Sequence, residues 1–309
     1  MADAEYRRLA HLKPNLERRA LIYQFIRDFF RERGFLEIET PVRVPEVAPE
    51  QYIIPFASED WFLSTSPELH MKRVLAAGYD KIFQFSRCFR KGEQGRGHNP
   101  EFTMLEWYRS RANHQQMIRD MEQLIVMLAN ELQFGHHIQY QNQDVDLTLP
   151  WPKVTVRNAF RYAAGWDPLA ELDPERFDID LVTKVIPSFP SCRPIVLLDY
   201  PAVLASLACL KPSEPVVAER AEVFIGGLEL ANAYSELRDQ REQVRRFREE
   251  IRQIQRETGR EMAIPRKFLK ALVRLPECGG IALGIDRLVM LFCDAGSIDE
   301  VMLFTVDRI

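Results

Sequence analysis

Residues 82–108 read IFQFSRCFRKGEQGRGHNPEFTMLEWY, and this stretch decides the fold class. Side-chain alternation predicts two strands, 82–90 and 101–108. The connecting loop, 91–100, is rich in glycine and basic side chains and can lie over phosphate groups. Because hairpins of this kind are the clearest strand pairs along the chain, the sequence favours an α+β fold with an antiparallel sheet over a doubly wound parallel sheet.

The same alternation places Phe102, Glu106 and Tyr108 on one face of the second strand. At the end of the first strand, Arg90 can anchor a phosphate group. A competing interpretation of Glu106 is an amphipathic strand that leaves this carboxylate in water.

A second hairpin is predicted at EVFIGGLEL, residues 222–230, with Gly226-Gly227 as its two-residue turn. In this register Phe224 pairs with Glu229, and Glu222 lies two positions along the same face. The two glutamates are then diagonal neighbours, and a divalent cation such as Mg²⁺ would relieve their repulsion. Two solvated surface glutamates explain the pattern equally well.

The stretch GGIALGIDRLVMLF, residues 279–292, predicts a strand over 281–285 and a helix that starts at Asp286 as N-cap. Arg287 then falls in the first turn, where a cation opposes the helix dipole unless an anion binds there. The glycines of this stretch allow a ligand to approach the backbone closely, although tight packing of the strand on a helix explains each of them as well.

The rest of the chain adds alternating elements without an internal repeat. The predicted helices are 15–33, 68–77, 114–132 and 236–257, and the further strands are 35–40 and 195–200. A proline-rich stretch, 135–194, carries helical pieces near 157–164 and 175–186 and is interpreted as an insertion into a single domain spanning 1–309. The highly charged helix 236–257 is interpreted as a solvated amphipathic helix.

Composition excludes several classes of protein. The 41 Lys and Arg against 45 Asp and Glu give a net charge of −4, which argues against a general polyanion binder. No apolar run approaches the ~18 residues of a membrane span, and the first residues lack the apolar core of a signal peptide. The five cysteines are scattered without a CxxC pair, so we expect neither a disulfide framework nor a zinc site, and a cytoplasmic location.

Three segments resemble, in order, the signature motifs of class II aminoacyl-tRNA synthetases: the helix and strand that end at Pro41, FRKGE…GHNPEFTMLEWY, and GGIALGIDRLVML. Two others, SPELHMKR (66–73) and GGLELANAYSEL (226–237), are similar to the lysyl branch of that class. The resemblance covers nearly the whole chain and implies a catalytic domain with an antiparallel sheet flanked by helices. It also implies a homodimer, formed through the first motif.

Lysyl-tRNA synthetases carry an N-terminal OB-fold domain that binds the anticodon, whereas this sequence begins a few residues before the catalytic core. It therefore looks like the stand-alone paralogues, the elongation factor P–lysine lysyltransferases. That family activates (R)-β-lysine and attaches it to a lysine side chain of elongation factor P. We accordingly expect elongation factor P and (R)-β-lysine or lysine as partners, and neither tRNA nor a membrane.

The resemblance implies that ATP binds with Mg²⁺. In the family pattern Arg90 contacts the α-phosphate and the reacting carboxylate, and Arg287 holds the far phosphates, which makes both arginines catalytic residues. Phe102 stacks on adenine, while Glu222 and Glu229 carry the metal, and Glu229 also lies along the nucleotide. The other residues implied to line ATP are Lys91, Gly92, Glu93, His98, Asn99, Leu230 and Gly284.

One position in the ATP segment departs from the family. The usual motif has a glutamate two residues after the arginine, where this sequence has Gly92 followed by Glu93. We expect a local adjustment of the loop rather than a loss of ATP binding.

The resemblance also implies a pocket for an amino acid with two ammonium groups, which need carboxylate partners when they are buried. Ala282 stands where lysyl-tRNA synthetases have glycine, and one methyl group can discriminate between substrates by ~1–3 kcal/mol. The remaining pocket residues are Ser66, Pro67, Glu68, Glu106, Tyr108, Asn232 and Glu236. For Glu236 alone, a glutamate placed by the helix dipole is the competing interpretation.

Two further functions stay open on the sequence alone. One is a minimal lysyl-type synthetase or amide synthetase that charges a tRNA or a small amine. The other is a synthetase-like regulatory subunit without catalysis, although such subunits typically lose the phosphate-binding arginines that are present here.

Overall fold

Both predicted hairpins are present in the structure, a computed structural model that describes residues 2–171 and 173–309. The helices of the described residues are α1 (Ala2–Glu32), α2 (Glu68–Ala76), α3 (His114–Glu131), α4 (Val156–Ala163), α5 (Pro174–Asp180), α6 (Gln240–Thr258), α7 (Arg266–Leu272) and α8 (Ile285–Cys293). The strands are β1 (Leu36–Glu37), β2 (Arg43–Val44), β3 (Ala57–Ser58), β4 (Trp61–Leu63), β5 (Lys81–Phe89), β6 (Glu101–Ser110), β7 (His137–Tyr140), β8 (Gln143–Asp146), β9 (Lys153–Thr155), β10 (Ile195–Pro201), β11 (Leu210–Lys211), β12 (Glu214–Ile225), β13 (Leu228–Ser235) and β14 (Cys278–Gly284).

The chain forms two compact units. The first unit comprises Met1–Arg111, Arg238–Cys278 and Ala282–Ile309, and the second comprises Ala112–Leu237 with Gly279–Ile281. Strand pairing is mixed and mostly antiparallel in both units, as predicted for an α+β fold. Among the described helices, none combines the length and the apolar composition that crossing a bilayer requires.

The first unit is built on the antiparallel hairpin β5–β6, whose register runs from Lys81 opposite Arg109 to Phe89 opposite Glu101. One face of this hairpin packs against α1 through aromatic rings. Phe30 stacks on Phe83 with a centroid distance of 4.7 Å and contacts Trp107 at 5.2 Å. Because side chains alternate, the opposite face carries the residues predicted to form the site.

Helix α1 begins at Ala2, well before the predicted Asn15. The added segment is charged and lacks apolar periodicity, but side chains tie this region of the helix to the C-terminal residues. Arg8 donates a hydrogen bond to the carbonyl of Leu303 (2.7 Å), and Asn15 donates one to that of Glu300 (3.0 Å). At its other end, α1 stops as predicted before Gly34, whose φ of +73° is typical of a helix C-terminus.

The predicted strand 35–40 is much shorter in the structure. Only Leu36–Glu37 pairs, in parallel with β5, and one further backbone bond joins Ile38 N–H to the carbonyl of Phe83. Residues 35–40 alternate as a strand would, but only two of them pair with β5. Pro41 ends the segment.

In the second unit the strand order is β13, β12, β10, β9, and β11 also pairs with β12. An apolar cluster packs α4 and α5 against β10, where Phe160 stacks on Phe177 at 4.5 Å and Phe177 contacts Tyr200. The stretch 135–194, predicted as a helical insertion, is only partly helical. It also contains the hairpin β7–β8 and β9, which pairs in parallel with β10.

Helix α6 begins later than the predicted residue 236. Its N-cap is Asp239, whose side chain accepts hydrogen bonds from the N–H groups of Arg241 and Glu242. The residues before it, through Leu237, extend from β13 instead, because Leu237 N–H donates to the carbonyl of Leu207. Glu236 therefore lies outside the helix.

Gly279 packs tightly against the start of α3, so the packing explanation holds at this glycine. A Cβ atom added there would lie 2.7 Å from Cγ of Met117 and 3.0 Å from the carbonyl oxygen of Asn113. We expect Gly279→Ala to lower the free energy of unfolding by about 1–3 kcal/mol, because the backbone of a capped helix cannot move aside easily. Urea unfolding measures the change.

Gly97→Ala is the matched control for this prediction. A Cβ atom at Gly97 would meet no atom closer than 3.9 Å, so we expect its stability to stay within about 0.5 kcal/mol of the wild type. Equal stabilities of the two variants would contradict the packing account.

Candidate active site

Glu106 lies on the face of the β5–β6 hairpin opposite α1 and is buried, with 1% of its surface exposed. Tyr108 donates a hydrogen bond to its Oε2 (2.8 Å), and Ser66 donates one to its Oε1 (2.6 Å). The predicted placement of Glu106 beside Tyr108 is confirmed, and the interpretation of Glu106 as a solvated side chain is wrong.

The surroundings of Glu106 shift its protonation into the physiological range. Burial, followed by the nearby charge of Glu68, raises the pKa of Glu106 to about 7. The hydrogen bonds from Ser66 and Tyr108 and the charge of Lys72 lower the pKa against these effects. Because the group titrates near neutral pH, an ammonium ligand beside it would favour its ionised form.

Glu68 lies next to this site, at the first position of α2. Its Oε1 is 2.5 Å from Nζ of Lys72, one turn later in the same helix. The backbone N–H of Glu68 donates to Oγ of Ser66 (3.0 Å), so Ser66 bridges Glu68 and Glu106, while Pro67 occupies the N-cap position. The structure thus brings together four of the predicted pocket residues of the first unit: Ser66, Glu68, Glu106 and Tyr108.

A cavity opens beside these residues. Ser66 and Glu68 line it together with Val44, Val47 and His70, so apolar and charged groups face the same space. Such a lining suits a ligand with a hydrocarbon body and a cationic end.

Arg90 lies just beyond the end of β5, as predicted. Its Nε donates to the carbonyl of Thr65 (3.2 Å), Nη1 lies 3.5 Å from Oε1 of Glu93, and the guanidinium is 5.2 Å from the ring centroid of Phe102. Glu93 and Phe102, both expected at ATP, therefore each contact Arg90. The carboxylate displaced from the usual family position, Glu93, contacts the arginine directly.

Arg287 and His98 form a second group of predicted nucleotide residues. Nη2 of Arg287 contacts Nε2 of His98, and its Nε donates to the carbonyl of Gly97 (3.3 Å). Burial, followed by the charges of Arg287 and other neighbours, lowers the pKa of His98, so the imidazole is neutral at pH 7 and can accept this hydrogen bond. An anion beside the pair would meet the guanidinium.

The start of α8 differs from the prediction. Its N-cap is Gly284, and the expected cap, Asp286, is buried in the first turn. Asp286 accepts hydrogen bonds from Arg19 of α1 (2.6 Å) and from the N–H of Thr103 in β6 (2.8 Å). It fixes the helix that carries Arg287 to the hairpin that carries Glu106, because one carboxylate bonds to both elements.

Three other predicted nucleotide residues have local backbone roles. Lys91 N–H bonds to the carbonyl of Ile54, and Gly92 has a φ of +85°. Asn99 is buried, donates to the carbonyl of Glu101 (2.6 Å) and accepts from Val306 N–H (2.9 Å). Its amide groups thus hold the loop to the C-terminal segment.

The second unit contains the remaining predicted carboxylates. Glu222 is 5% exposed, and its Oε1 accepts a hydrogen bond from Nη2 of Arg220 (2.8 Å). Arg220 also donates to the carbonyl of Leu204 and lies over the ring of Tyr200 at 4.6 Å. The alternative of a solvated Glu222 is wrong, whereas Glu229 is exposed.

The β12–β13 hairpin follows the predicted register only near its turn. Phe224 pairs with Glu229 as expected, but a bulge beyond Phe224 places Glu222 opposite Asn232. In an unbulged hairpin Ala231 would occupy that position. The bulge thus aligns two predicted polar residues, Glu222 and Asn232, and buries Leu230 between the turn and them.

Glu236 follows β13 in an isolated backbone bridge with Ala208 and is 4% exposed. The interpretation of Glu236 as a glutamate placed by a helix dipole is wrong, because α6 starts later. Ala282 lies in β14 and is partly exposed between the buried Ile281 and Leu283. Gly284 ends that strand as the cap of α8.

The second unit offers ligands for a magnesium ion only in part. Among the described residues, no group of three or more His, Cys, Asp or Glu side chains could hold a metal ion alone. Mg²⁺ at nucleotide sites usually takes one or two carboxylates together with phosphate oxygens, and Glu222 with Glu229 fits that donor set.

Three residues that hold the predicted site were not identified from the sequence. The sequence does contain a signal for Lys72 and Arg220. Lys72 lies four residues after Glu68 on the same face of a helix, and Arg220 lies two residues before Glu222 on the same face of a strand. Arg19 carried none, because its contact with Asp286 spans 267 positions of sequence.

Comparison with known proteins matches this architecture. A family model described as tRNA synthetases class II (D, K and N) matches residues 4–308. A protein of Klebsiella pneumoniae (strain 342), named elongation factor P--(R)-beta-lysine ligase, is 38% identical over an alignment of 317 positions, gaps included, that covers 96% of each chain. A Salmonella typhi protein of the same name is 37% identical over an alignment of 312 positions, again covering 96% of each chain.

The raised pKa of Glu106 predicts a pH-dependent stability. Between the ordinary value of 4.5 and about 7, the unfolded chain releases a proton that the folded protein keeps. The free energy of unfolding therefore falls as pH rises through this window. We expect Glu106→Gln to remove this contribution and to gain about 2–3 kcal/mol relative to the wild type between pH 5 and pH 8.

Urea unfolding of both proteins at the two pH values measures this difference. Glu101→Gln, at the exposed start of the same strand, is the control and should show no such pH-dependent gain. If the stability difference between wild type and Glu106→Gln is the same at both pH values, Glu106 does not titrate as described.

Proposed function

The chain belongs to the family of class II tRNA synthetases (D, K and N) and is an enzyme of the ligase type, and we propose that it activates (R)-β-lysine with ATP and transfers it to a lysine side chain of elongation factor P. One observation of the site carries the choice of amino acid. Glu68 lines a partly apolar cavity, and Ser66 links it to a second carboxylate, that of the almost fully buried Glu106. The names of the relatives support the acceptor.

The amino-acid pocket follows from charge. A substrate with two ammonium groups leaves water only if carboxylates replace its hydration. In the first unit Glu68 and Glu106 offer such partners, and in the second unit we assign Glu236 to the same role. Tyr108 and Asn232 add hydrogen bonds, and the methyl group of Ala282 selects between isomers.

The ATP residues are assigned by their chemistry. Arg90 binds the α-phosphate and the substrate carboxylate, and Arg287 with His98 binds the far phosphates, because a guanidinium matches phosphate oxygens. Phe102 lies against adenine. Glu222 and Glu229 would hold Mg²⁺, which when bound supplies positive charge that stabilises the phosphate oxygens.

The chemistry then needs no nucleophile from the protein. The substrate carboxylate attacks the α-phosphorus of ATP, pyrophosphate leaves, and a mixed anhydride with AMP forms. The ε-amine of the acceptor lysine attacks the carbonyl carbon, AMP leaves, and an amide remains after loss of a proton. Arg90 stabilises charge at the phosphorus by position and electrostatics. Burial raises the pKa of the Cys88 thiol to about 12, which keeps this thiol of the site neutral.

The assembly and location of the enzyme belong to the same proposal. Its resemblance to class II enzymes supports a homodimer formed through the segment around α1 and β1. A translation factor as acceptor supports a cytoplasmic location.

Amino-acid-dependent ATP–pyrophosphate exchange tests the activation step. We expect strong exchange with (R)-β-lysine, weaker exchange with α-lysine and none without an amino acid, because only the diamino acids satisfy the buried carboxylates. Exchange with α-lysine alone would favour a lysyl-tRNA synthetase-like activity, and charging of tRNA by the purified protein would support that outcome. Absence of exchange with either lysine would contradict the proposed activation.

Glu236→Gln tests the amino-acid pocket separately from the ATP site. We expect this variant to lose amino-acid-dependent exchange, by about 100-fold or more, because a buried ammonium then lacks its charged partner. ATP binding, measured by calorimetry, should remain at the wild-type level. The control is Glu261→Gln, an exposed glutamate between α6 and α7. Retained exchange in Glu236→Gln would remove Glu236 from the pocket.

A further inference from the structure

A buried lysine contacts one of the carboxylates of the amino-acid pocket. Lys72 on α2 is 1% exposed, although lysine is among the residues that are almost never fully buried unless paired. Its Nζ is 2.5 Å from Oε1 of Glu68 and lies 6.0 Å from the ring centroid of Phe268 on α7. The ammonium group is thus fixed between a carboxylate and an aromatic ring.

A continuous set of hydrogen bonds leads from Lys72 to the deepest carboxylate. The carboxylate of Glu68 accepts a hydrogen bond from Nζ of Lys72, and the backbone N–H of Glu68 donates to Oγ of Ser66 (3.0 Å). Ser66 in turn donates to Glu106 (2.6 Å), and Tyr108 donates to the other oxygen of Glu106 (2.8 Å). A substitution of Lys72 is therefore expected to affect Glu68 directly and Glu106 through Ser66.

Charge balance explains why a cation is needed there. Two neighbouring carboxylates in a buried site repel each other, and one of them takes up a proton unless a positive charge lies nearby. Glu68 raises the pKa of Glu106, and Lys72 lowers it. The charge of Lys72 therefore favours the ionised form of Glu106, which a bound diammonium substrate would meet.

We propose that Lys72 is a positioning residue of the amino-acid pocket, which orients Glu68 and places an internal positive charge beside the two acids that receive a dibasic amino acid. The inference rests on the proposed function for the identity of the ligand. Lys72 does not need to touch the substrate, since it acts through Glu68 and Ser66.

The consequence of removing the charge has a definite sign. In Lys72→Met the carboxyl group of Glu106 keeps its proton to higher pH, because the charge of Lys72 no longer lowers its pKa. A diammonium substrate would then have to displace that proton, so its affinity falls most at low pH and recovers as pH rises. A purely structural role of Lys72 would lower activity or stability equally at all pH values.

The first test is kinetic. In Lys72→Met we expect the KM for (R)-β-lysine in pyrophosphate exchange to rise roughly ten-fold at pH 7, as is common for contacting charged neighbours, with the KM for ATP unchanged. The midpoint of the pH dependence of kcat/KM for the amino acid should move up by about one pH unit. Lys72→Arg keeps the charge and should restore the midpoint.

Lys81→Met is the matched control. Lys81, on β5, also lies near an aromatic ring, that of Phe35 at 5.6 Å, and donates to the carbonyl of Arg33 (2.9 Å). It is partly exposed and does not belong to the pocket network, so its substitution should leave the KM for the amino acid and the pH midpoint unchanged. A Lys72→Met variant that behaves like Lys81→Met would overturn the proposal.

A second test does not depend on activity. The pH dependence of urea unfolding, compared between Lys72→Met and Lys72→Met/Glu106→Gln, reports the pKa of Glu106 in the absence of Lys72. We expect the pKa to lie above that obtained from the wild type and Glu106→Gln, and an unchanged pKa would overturn the proposal. If wild-type exchange is absent, the proposed function fails while this test still decides the role of Lys72.

A double variant covers the case in which Lys72→Met folds poorly. Glu68→Gln/Lys72→Met removes both charges of the ion pair, and we expect the added Lys72→Met to raise the KM for the amino acid by much less than ten-fold, because the orienting role of Lys72 needs the Glu68 carboxylate. A further ten-fold rise on adding Lys72→Met to Glu68→Gln would show that Lys72 acts by another route and would overturn the proposal.

Discussion

A carboxylate that is removed from water must be given other charges or hydrogen-bond donors, and this constraint organises both units of the protein. Glu106, Glu222 and Asp286 are each at most 5% exposed. Asp286 has Arg19, Glu222 has Arg220, and Glu106 has two hydroxyl donors with Lys72 one side chain further away. Secondary structure in these regions is arranged so that each acid meets its partners.

These three carboxylates have different surroundings. Asp286 has both oxygens occupied by Arg19 and by Thr103 N–H, so it holds α8 to α1 and β6. Glu222 accepts a charged hydrogen bond from Arg220. Glu106 is held only by neutral donors, and its pKa of about 7 makes it responsive to a charged ligand.

The sequence was most informative where alternation was undisturbed. The β5–β6 hairpin matches its predicted strands closely, and the placement of Glu106 beside Tyr108 is correct because no bulge interrupts that register. The second hairpin was predicted correctly at its Gly226-Gly227 turn but not beyond Phe224, because a bulge has no sequence signal that distinguishes it from regular pairing. The start of α1 at Ala2 is accompanied by contacts of Arg8 and Asn15 with the C-terminal residues, which local patterns do not encode. The start of α6 at Gln240 did have a local signal, the N-cap Asp239, which the prediction of a start at residue 236 missed.

The central claim is that the carboxyl group of a diamino acid is activated here and joined to a protein amine. Mass spectrometry of elongation factor P, after incubation with this enzyme, ATP and (R)-β-lysine, tests it most directly. We expect a mass increase of one β-lysyl group on a single lysine side chain, which depends on ATP and is abolished in Glu236→Gln. An unmodified elongation factor P, under conditions where the enzyme consumes ATP in the presence of the amino acid, would contradict it.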